Sequence, residues 1–370
     1  MKKKKKFILL PIFLFSISNA EYQIKIPLTE NDIKFNNTIT PTIPSNLNFQ
    51  DYLTSLFNKN PALEGLYNTT CNQHQNNERP WTMNPSGITE DDASCIRFTN
   101  QILANSLFRD VDLQFVDFSG SSLTNSTLED FRAQYSNFSG IDLTGIELDF
   151  GGLSYSDFSN ALLNGATIMN SDFSNTNFSD ANLSNLDLTN GAFLNSDFTN
   201  ALFNEAIIKD SNLSDSNFNS ADLSNFILSN TAVNDSNFSN ANLSGANINA
   251  ATIFNSNFEN ANLSGTVFGV NSAINGSNFN NANMNNVVFA GSNSLENVTF
   301  SNTDLRNATF STGANYNGTV FNNVDLRGAS FTDWPPTTIF TNILYDSTTV
   351  WPSWYTPPAS RDGYQHIASP

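Results

Sequence analysis

Large apolar side chains recur at every fifth position of this sequence, and this period excludes ordinary helices and strands. Between Phe98 and Phe268 a step of five residues meets 35 positions, and 34 of them are Phe, Leu, Ile or Val. An α-helix repeats its apolar face every 3.6 residues and a β-strand every 2, so neither can bury all of these side chains. The period therefore predicts a coiled chain that turns a corner in each five-residue unit and buries one large side chain there.

Ala133 is the one departure from this pattern. Phe131, two positions earlier, stands where most units carry Ser or Ala. Protein interiors tolerate neither voids nor overfilling, so we expect Phe131 to fill the space that Ala133 leaves.

A period of twenty residues lies above the period of five. Every fourth unit carries the same residue type, which predicts coils with four sides. Coils that pair in parallel lie about 4.8 Å apart, so like side chains are expected to stack. The Phe line is Phe98, Phe118, Phe138, Phe158, Phe178, Phe198, Phe218, Phe238 and Phe258, mostly preceded by Ser two positions earlier. The Leu line runs from Leu123 to Leu263 with Phe203 as its exception, and it is mostly preceded by Ala.

Three one-residue insertions interrupt the register near the C-terminal end. They fall at 269–273, 290–294 and 311–315, always on the same side of the coil, and they give coils of 21 residues. Stacking would turn them into a bulged ridge. Such a ridge is either a binding feature or a tolerated insertion that was copied with the repeat.

The units resemble those of a known family. Ala241-Asn242-Leu243-Ser244-Gly245, Ala181–Asn185 and Ala221–Asn225 look like the A(D/N)LxX consensus of pentapeptide-repeat proteins. The resemblance covers roughly residues 96–332. It implies an all-β fold, a right-handed quadrilateral parallel β-helix of about 11–12 coils over residues 98–331, with a small N-terminal capping region.

The family's best-characterised members resemble double-helical DNA in shape and charge and inhibit DNA gyrase as dimers. Residues 98–331 hold 22 acidic and five basic residues, which agrees with such mimicry. This sequence departs from those members in a signal peptide, a predicted disulfide and repeats richer in Asn than in Asp. An acidic mimic of DNA that inhibits an enzyme such as gyrase is therefore an alternative function.

Residues 1–20 have the pattern of a secretory signal peptide. Lys2–Lys6 precede a short apolar run and a small-residue site that predicts cleavage near Ala20. The apolar run is shorter than the ~20 residues of a spanning helix, so no membrane span is predicted in the mature chain. We expect an exported protein, periplasmic or extracellular. Removal of residues 1–20 leaves 11 basic and 34 acidic residues, a formal charge of −23, which disfavours direct binding of nucleic acid.

Residues 21–97 are predicted to form an N-terminal cap or extension. Ser45 is a candidate N-cap and Pro61 a stop for one amphipathic helix between them. Cys71 and Cys95 are the only cysteines, and in an exported protein such a pair predicts a disulfide. Its 25-residue loop would contribute roughly 3–4 kcal/mol.

Residues 332–370 form a predicted C-terminal cap or tail rich in Trp and Pro. Trp334-Pro335-Pro336 breaks the register after Phe331, and Trp351, Trp354 and Tyr355 follow. The rings either cover the open end of the solenoid or form an exposed surface for a carbohydrate or protein groove.

The repeats offer no catalytic, cofactor or metal site. Residues 98–331 contain neither His nor Cys, so a Ser/His or Cys/His pair cannot form there. Phe115, Tyr135 and Tyr155 occupy one outward corner in three successive coils, and Asn175 and Asn195 follow. This stripe is a candidate contact patch for a partner, or an anchor for residues 21–97.

The sequence therefore predicts an exported, non-enzymatic interaction scaffold that binds an unidentified protein or a component of the envelope or host. It is expected to be a monomer or an end-to-end dimer without a cofactor. A secreted effector or adhesion factor fits the same observations.

Overall fold

The computed structural model describes residues 33–34, 95, 97–291, 293–333, 338–357 and 365–367 of the chain. The predicted signal peptide, the predicted helix between Ser45 and Pro61, and Cys71 lie outside the described residues. The predictions made for them therefore remain predictions.

The described chain is an all-strand parallel β-solenoid of about 12 turns. Its strands are β1 (Ile33–Lys34), β2 (Leu107–Arg109), β3 (Thr127–Arg132), β4 (Glu147–Gly152), β5 (Thr167–Met169), β6 (Asp187–Thr189), β7 (Ile207–Lys209), β8 (Ile227–Ser229), β9 (Asn247–Asn249), β10 (Val267–Phe268), β11 (Val288–Phe289), β12 (Thr299–Ser301), β13 (Thr309–Phe310), β14 (Val320–Asn322), β15 (Ser330–Phe331), β16 (Ile339–Thr341), β17 (Leu344–Asp346) and β18 (Gln365–Ile367).

Each coil pairs with the next through four lines of backbone contacts, one for each side. The largest sheet has the strand order β1-β2-β3-β4-β5-β6-β7-β8-β9-β10-β11-β13-β15. Its pairs are parallel, with Leu148 beside Ile168, except that β1 pairs antiparallel with β2. Isolated parallel bridges such as Asp117 to Asn137 and Ser122 to Asp142 hold the other sides together. The predicted four-sided β-helix is confirmed.

The corners form because the second residue after each large inward side chain takes up a left-handed backbone conformation. Asn100 has a φ of 55° and Gly120 one of 66°, and Asn, Asp and Gly adopt this region most readily. The Asn237 side chain accepts a hydrogen bond from the Ser239 amide at 3.1 Å, which is an Asx turn. Asn and Asp therefore both set the turn and close it.

The core contains the residues that the five-residue step predicted, and all 35 positions from Phe98 to Phe268 are buried. The Phe line forms one continuous column of stacked rings, with neighbouring centroids 4.6–5.4 Å apart. Its members are Phe98, Phe118, Phe138, Phe158, Phe178, Phe198, Phe218, Phe238, Phe258, Phe279, Phe300, Phe321 and Phe340.

Phe131 replaces the volume that Ala133 lacks, as predicted. Its ring is buried and extends over Gly151 of the next coil. A Cβ atom on Gly151 would lie 2.5 Å from Phe131 Cζ and 2.9 Å from Leu153 Cδ1. Gly151 therefore lacks a side chain because the ring of the preceding coil occupies that space.

Ser on the Phe line does more than fill space, because its hydroxyl joins its own coil to the preceding one. Ser236 Oγ accepts a hydrogen bond from the Ser216 amide at 3.2 Å and donates one to the Leu213 carbonyl at 3.2 Å. The same pair of bonds recurs at Ser196 and Ser216. On the Leu line the amide of the small residue bonds within its own turn, as from Ala241 to the Phe238 carbonyl. Ala is sufficient there.

The predicted insertions produce coils of 21 residues. Phe268 pairs with Ile248 of the preceding coil and with Phe289 of the next, so the added residue falls after Phe268. Asn293 is buried in the ridge and donates a hydrogen bond from Nδ2 to the Phe268 carbonyl at 2.8 Å. An inward amide thus bridges the coils where a small residue usually stands.

Parallel pairing continues beyond Phe331, the predicted end of the repeats. β16 pairs with β14 in a shorter register, and Phe340 stacks on Phe321 at 4.9 Å. Parallel pairing and ring stacking continue although one side of the coil is shortened, and a search for a five-residue step cannot recognise that.

Two aromatic rings pack against the core at the C-terminal end of the solenoid. Trp351 stacks on Phe331 at 5.4 Å, and Trp351 and Tyr355 pack against the core. Trp354 is 55% exposed and donates a hydrogen bond to Asp333 Oδ1 at 3.1 Å.

Candidate contact surface

The predicted contact patch forms one vertical stripe of rings. Phe115 stacks on Tyr135 at 5.2 Å, and Tyr135 stacks on Tyr155 at 5.3 Å. Cys95 has the same left-handed conformation one coil before Phe115, and its amide bonds to the Gln114 carbonyl at 2.9 Å. The predicted disulfide cysteine therefore stands at the lower end of the stripe.

The three rings of the predicted patch differ in exposure, so not all of them belong to the surface. Phe115 is completely buried although it does not belong to the core cluster. Tyr135 is half-buried and Tyr155 is 42% exposed. Burial, with the neighbouring Tyr155, raises the pKa of the Tyr135 hydroxyl. Of the predicted patch, Tyr135 and Tyr155 are partly exposed and Phe115 is not.

Phe150 is an exposed ring that the sequence analysis missed. It occupies the corner before Tyr155 in the same coil, has a φ of 52° and is 52% exposed. The signal was present in the sequence, because Phe150 stands at a corner position where Asn, Asp or Gly is usual.

Bulky aromatic residues at these corners strain the backbone. Phe115, Tyr135, Phe150 and Tyr155 have φ values between 52° and 61°. The left-handed region costs a residue with a Cβ roughly 1–2 kcal/mol, and for a bulky residue it is a clear outlier. Such outliers concentrate at functional sites.

The side of the coil between Phe150 and Tyr155 carries no large outward side chain. Its outward positions are Gly152 and Ser154. A Cβ on Gly152 would lie 2.6 Å from Gln134 Nε2, and Gln134 Oε1 accepts a hydrogen bond from Gln114 Nε2 at 3.1 Å. The side-chain amides of Gln114 and Gln134 thus form a column that ends at Gly152. Gly152 and Ser154 form a shallow surface between the two rings.

Carboxylates crowd the other flank of Phe150. Asp130 lies at the same corner one coil earlier, and Asp149 immediately precedes Phe150. Burial, together with the charges of Asp110, Glu129 and Asp149, raises the pKa of Asp130. The flank is thus rich in negative charge at neutral pH.

The two arginines of these coils are already paired with carboxylates. Arg109 contacts Glu129 at 2.6 Å and Arg132 contacts Asp112 at 2.6 Å. They reduce the negative charge of the flank but do not cancel it.

Along the rest of the rod, Asn separates the stacked carboxylates. Asn177 donates to Asp157 at 3.0 Å and Asn217 donates to Asp197 at 3.2 Å, each through Nδ2 to Oδ1. Within the described ranges, no group of His, Cys, Asp and Glu could hold a metal ion. The described part of the repeats thus presents polar ladders in which few charges meet.

The geometry defines a class of protein, the four-sided parallel β-solenoid with five residues on each side. A family model described as pentapeptide repeats matches the chain in eight copies, over residues 94–130, 156–193, 181–219, 193–230, 216–253 and 234–269. The chain belongs to the pentapeptide-repeat family.

Several solved structures are similar to this chain. HetL, a pentapeptide repeat protein involved in heterocyst differentiation regulation from the cyanobacterium Nostoc sp. strain PCC 7120, is 18% identical, with 68% of this chain and 88% of HetL covered and a TM-score of 0.22. A trypsin-treated variant of QnrB1, a plasmid-mediated fluoroquinolone resistance protein, is 17% identical, with 56% and 90% covered and a TM-score of 0.27. Rfr23, a pentapeptide repeat protein from the cyanobacterium Cyanothece 51142, is 24% identical, with 39% and 63% covered and a TM-score of 0.16.

A search of curated proteins gives no match to this chain. In the part of the chain that the structure describes, no helix is long and apolar enough to cross a membrane.

Proposed function

We propose that this protein is an exported, non-enzymatic scaffold that binds another macromolecule through the surface of its solenoid. One observation carries the proposal: the rings of Phe150 and Tyr155 are exposed at corners where the fold favours Asn, Asp or Gly. Rings at these positions strain the backbone, so they are better explained by a contact outside the solenoid than by the stability of the coil.

The export part of this proposal rests on residues 1–20 and on the cysteine pair. Cys95 lies at the foot of the stripe, where a bond to Cys71 would tie the N-terminal region to the first coils. An oxidising compartment favours that bond. A periplasmic or extracellular scaffold, including a secreted effector or adhesion factor, agrees with both features.

Cell fractionation followed by cross-linking tests this function. A C-terminally tagged chain should be found in the exported fraction without residues 1–20, with its two thiols protected from alkylation. Cross-linking there should yield the same partner in repeated preparations, and a chain without cross-linked partners would contradict a scaffold role. Full-length protein retained in the cytoplasm would contradict export.

The charge of the rod favours a second candidate function, an acidic inhibitor that imitates DNA. Residues 98–331 carry 22 acidic and five basic residues, so the rod attracts proteins that bind polyanions. A supercoiling assay with purified gyrase tests this candidate. Absence of inhibition at micromolar concentrations of the protein would rule it out.

A further inference from the structure

The strongest unassigned feature of the molecule is an exposed aromatic patch, which we define as Tyr135, Phe150, Tyr155 and Met169. Phe150 is 52%, Tyr155 42% and Met169 40% exposed. Phe150 and Tyr155 bound one side of the same coil, and Met169 pairs with Asp149 in the adjacent strands β4 and β5. Exposed apolar groups that cluster in this way mark interaction sites.

The charges around the patch indicate what kind of partner it can accept. Asp130 and Asp149 adjoin Phe150 along the corner and along the chain, and Glu147 lies on the same strand. Asp130 already experiences repulsion from Asp110, Glu129 and Asp149. An approaching cation would relieve this repulsion, whereas an anion would add to it.

Rings and carboxylates together recognise positively charged groups. A Lys ammonium or Arg guanidinium is attracted to the face of an aromatic ring and forms charge-assisted hydrogen bonds with a carboxylate. Ser154 precedes Tyr155 in the chain, and its hydroxyl can accept a hydrogen bond from the same groups. A neutral glycan could stack on the rings, but it would gain nothing from the surrounding negative charge.

We propose that the aromatic patch binds a Lys- and Arg-rich segment of a partner protein. The segment lies along the corners of the coils that carry Tyr135, Tyr155 and Met169. Its cations lie between the rings of Phe150 and Tyr155 and the carboxylates of Asp130 and Asp149. This inference rests on the proposed scaffold function and assigns the chemistry of its partner.

The repeat itself supplies a variant that removes the rings while preserving the fold. Asn is the usual residue at both corners, as at Asn170 and Asn175 in the next coil. The double variant Phe150→Asn, Tyr155→Asn should therefore keep the melting temperature of the wild type or raise it. A clear fall in melting temperature would mean that the rings serve the fold, and it would overturn the proposal.

Binding is measured with the full chain and a rhodamine-labelled peptide of alternating Lys, Arg and Gly, followed by fluorescence anisotropy. The double ring variant should raise Kd about tenfold, as should Asp130→Asn combined with Asp149→Asn. The affinity of the wild type should fall as salt is added. Asp210→Asn with Asp235→Asn is the matched control. Asp210 lies on the corner line of Asp130 and Phe150, and Asp235 on that of Tyr155, both in distant coils. This variant should change Kd less than about twofold.

Equal Kd values for the wild type and the ring variant would overturn the proposal. It would also be overturned if the matched control lost as much affinity for the peptide as the Asp130→Asn, Asp149→Asn variant. A neutral chitin oligosaccharide that bound the patch while the peptide did not would identify a glycan site instead. The scaffold function is judged separately. If cross-linking captures the same partner with the ring variant as with the wild type, the scaffold stands and the patch is not its site.

Discussion

At the scale of single residues, polar side chains decide how well one coil is joined to the next. Ser236 satisfies an amide and a carbonyl in the preceding coil, and Asn237 both closes its turn and donates to Asn217 at 2.9 Å. Buried polar groups are expensive to leave without a partner. The residues of the repeat therefore satisfy backbone hydrogen bonds as well as fill the core.

Ser236→Ala should lower the stability of the protein although it removes only one oxygen. The buried Ser216 amide would lose its acceptor, and we expect the free energy of unfolding to fall by about 1–3 kcal/mol. Denaturant unfolding measures the change. Ser239→Ala in the same unit is the control, because that hydroxyl is half-exposed and bonds to Asn219 at 3.0 Å; equal losses in the two variants would contradict the role of the buried serine.

Two carboxylates should have opposite effects on the pH dependence of stability. Burial and like charges raise the pKa of Asp130, so its ionised form weakens the folded state at neutral pH. For Asp304 burial acts to raise the pKa, but hydrogen bonds and the charge of Arg306 lower it below its usual 3.8. Its ionised form therefore stabilises the folded state above that pH.

Asp130→Asn should raise the melting temperature at pH 7, with a gain that disappears as the pH falls through the raised pKa toward 3.8. Asp304→Asn should lower stability at pH 7 by about 0.2–1 kcal/mol, because the ion pair with Arg306 is partly exposed. This loss should vanish in acid as the wild-type carboxylate is protonated. Thermal melts from pH 3 to pH 7 measure both, and shifts of the same sign would contradict the assignment.

At the scale of the coil, facing positions in neighbouring coils must share a fixed volume. The ring of Phe131 occupies the space in which a Gly151 side chain would lie, so the two positions are coupled across twenty residues. Phe131 pairs directly with Gly151 in β3 and β4. The effect of a substitution at one of these positions on stability therefore depends on the residue at the other position.

Gly151→Ala should destabilise the protein by about 1–3 kcal/mol through overpacking. The loss should be largely recovered when Phe131→Ala and Ala133→Leu restore the common pattern of large and small residues. Denaturant unfolding of the single and triple variants measures this coupling. A triple variant no more stable than Gly151→Ala would show that the ring does not cause the loss.

The sequence predicted the coil because one rule governs the whole length of the repeat. Because like residues stack at a fixed spacing, the sequence alone identifies the core residues and the positions of the insertions. The rule did not predict the coil that contains Phe340, because stacking there continues with fewer residues in the register. It placed Phe115 correctly on an outward corner, but it did not predict that the ring is buried there.

The candidate surface was predicted in part for a related reason. Tyr135 and Tyr155 attracted attention because they repeat at twenty residues, whereas Phe150 appears once and was overlooked. Asp and Glu occur throughout the repeat, so none of the surrounding carboxylates stands out in the sequence. Their crowding around Asp130 becomes evident only when the strands are paired.

At the scale of the whole molecule, the rod depends on its ends, since each coil covers only its neighbours. At the C-terminal end Trp351 covers Phe331, with Phe340 and Tyr345 in edge contact at 6.0 and 5.6 Å. At the other end β1 adds an antiparallel strand to β2. Trp351 thus covers the apolar core, and β1 pairs with a backbone edge that would otherwise be available to another chain.

Trp351→Ala should destabilise the C-terminal coil by about 2 kcal/mol or more and promote association of the rods through the uncovered end. Thermal unfolding and light scattering after size-exclusion chromatography measure the two effects. Trp354→Ala is the control, because its ring is 55% exposed, and it should change stability by about 0.5 kcal/mol or less. A monomer of unchanged stability after Trp351→Ala would mean that another group closes the end.

The direction of the bonds between coils determines how the rod responds to a pulling force. The amides that join the coils bond to carbonyls about one coil away, as from Phe238 to Asn257 at 2.7 Å, so these bonds point along the axis of the rod. A load on the two ends opens the bonds of one terminal coil before those of the next. Each opening releases a coil of about twenty residues, roughly 70 Å of extended chain. Stretched between two attachment points, the protein lengthens in steps of similar size and absorbs work at each of them.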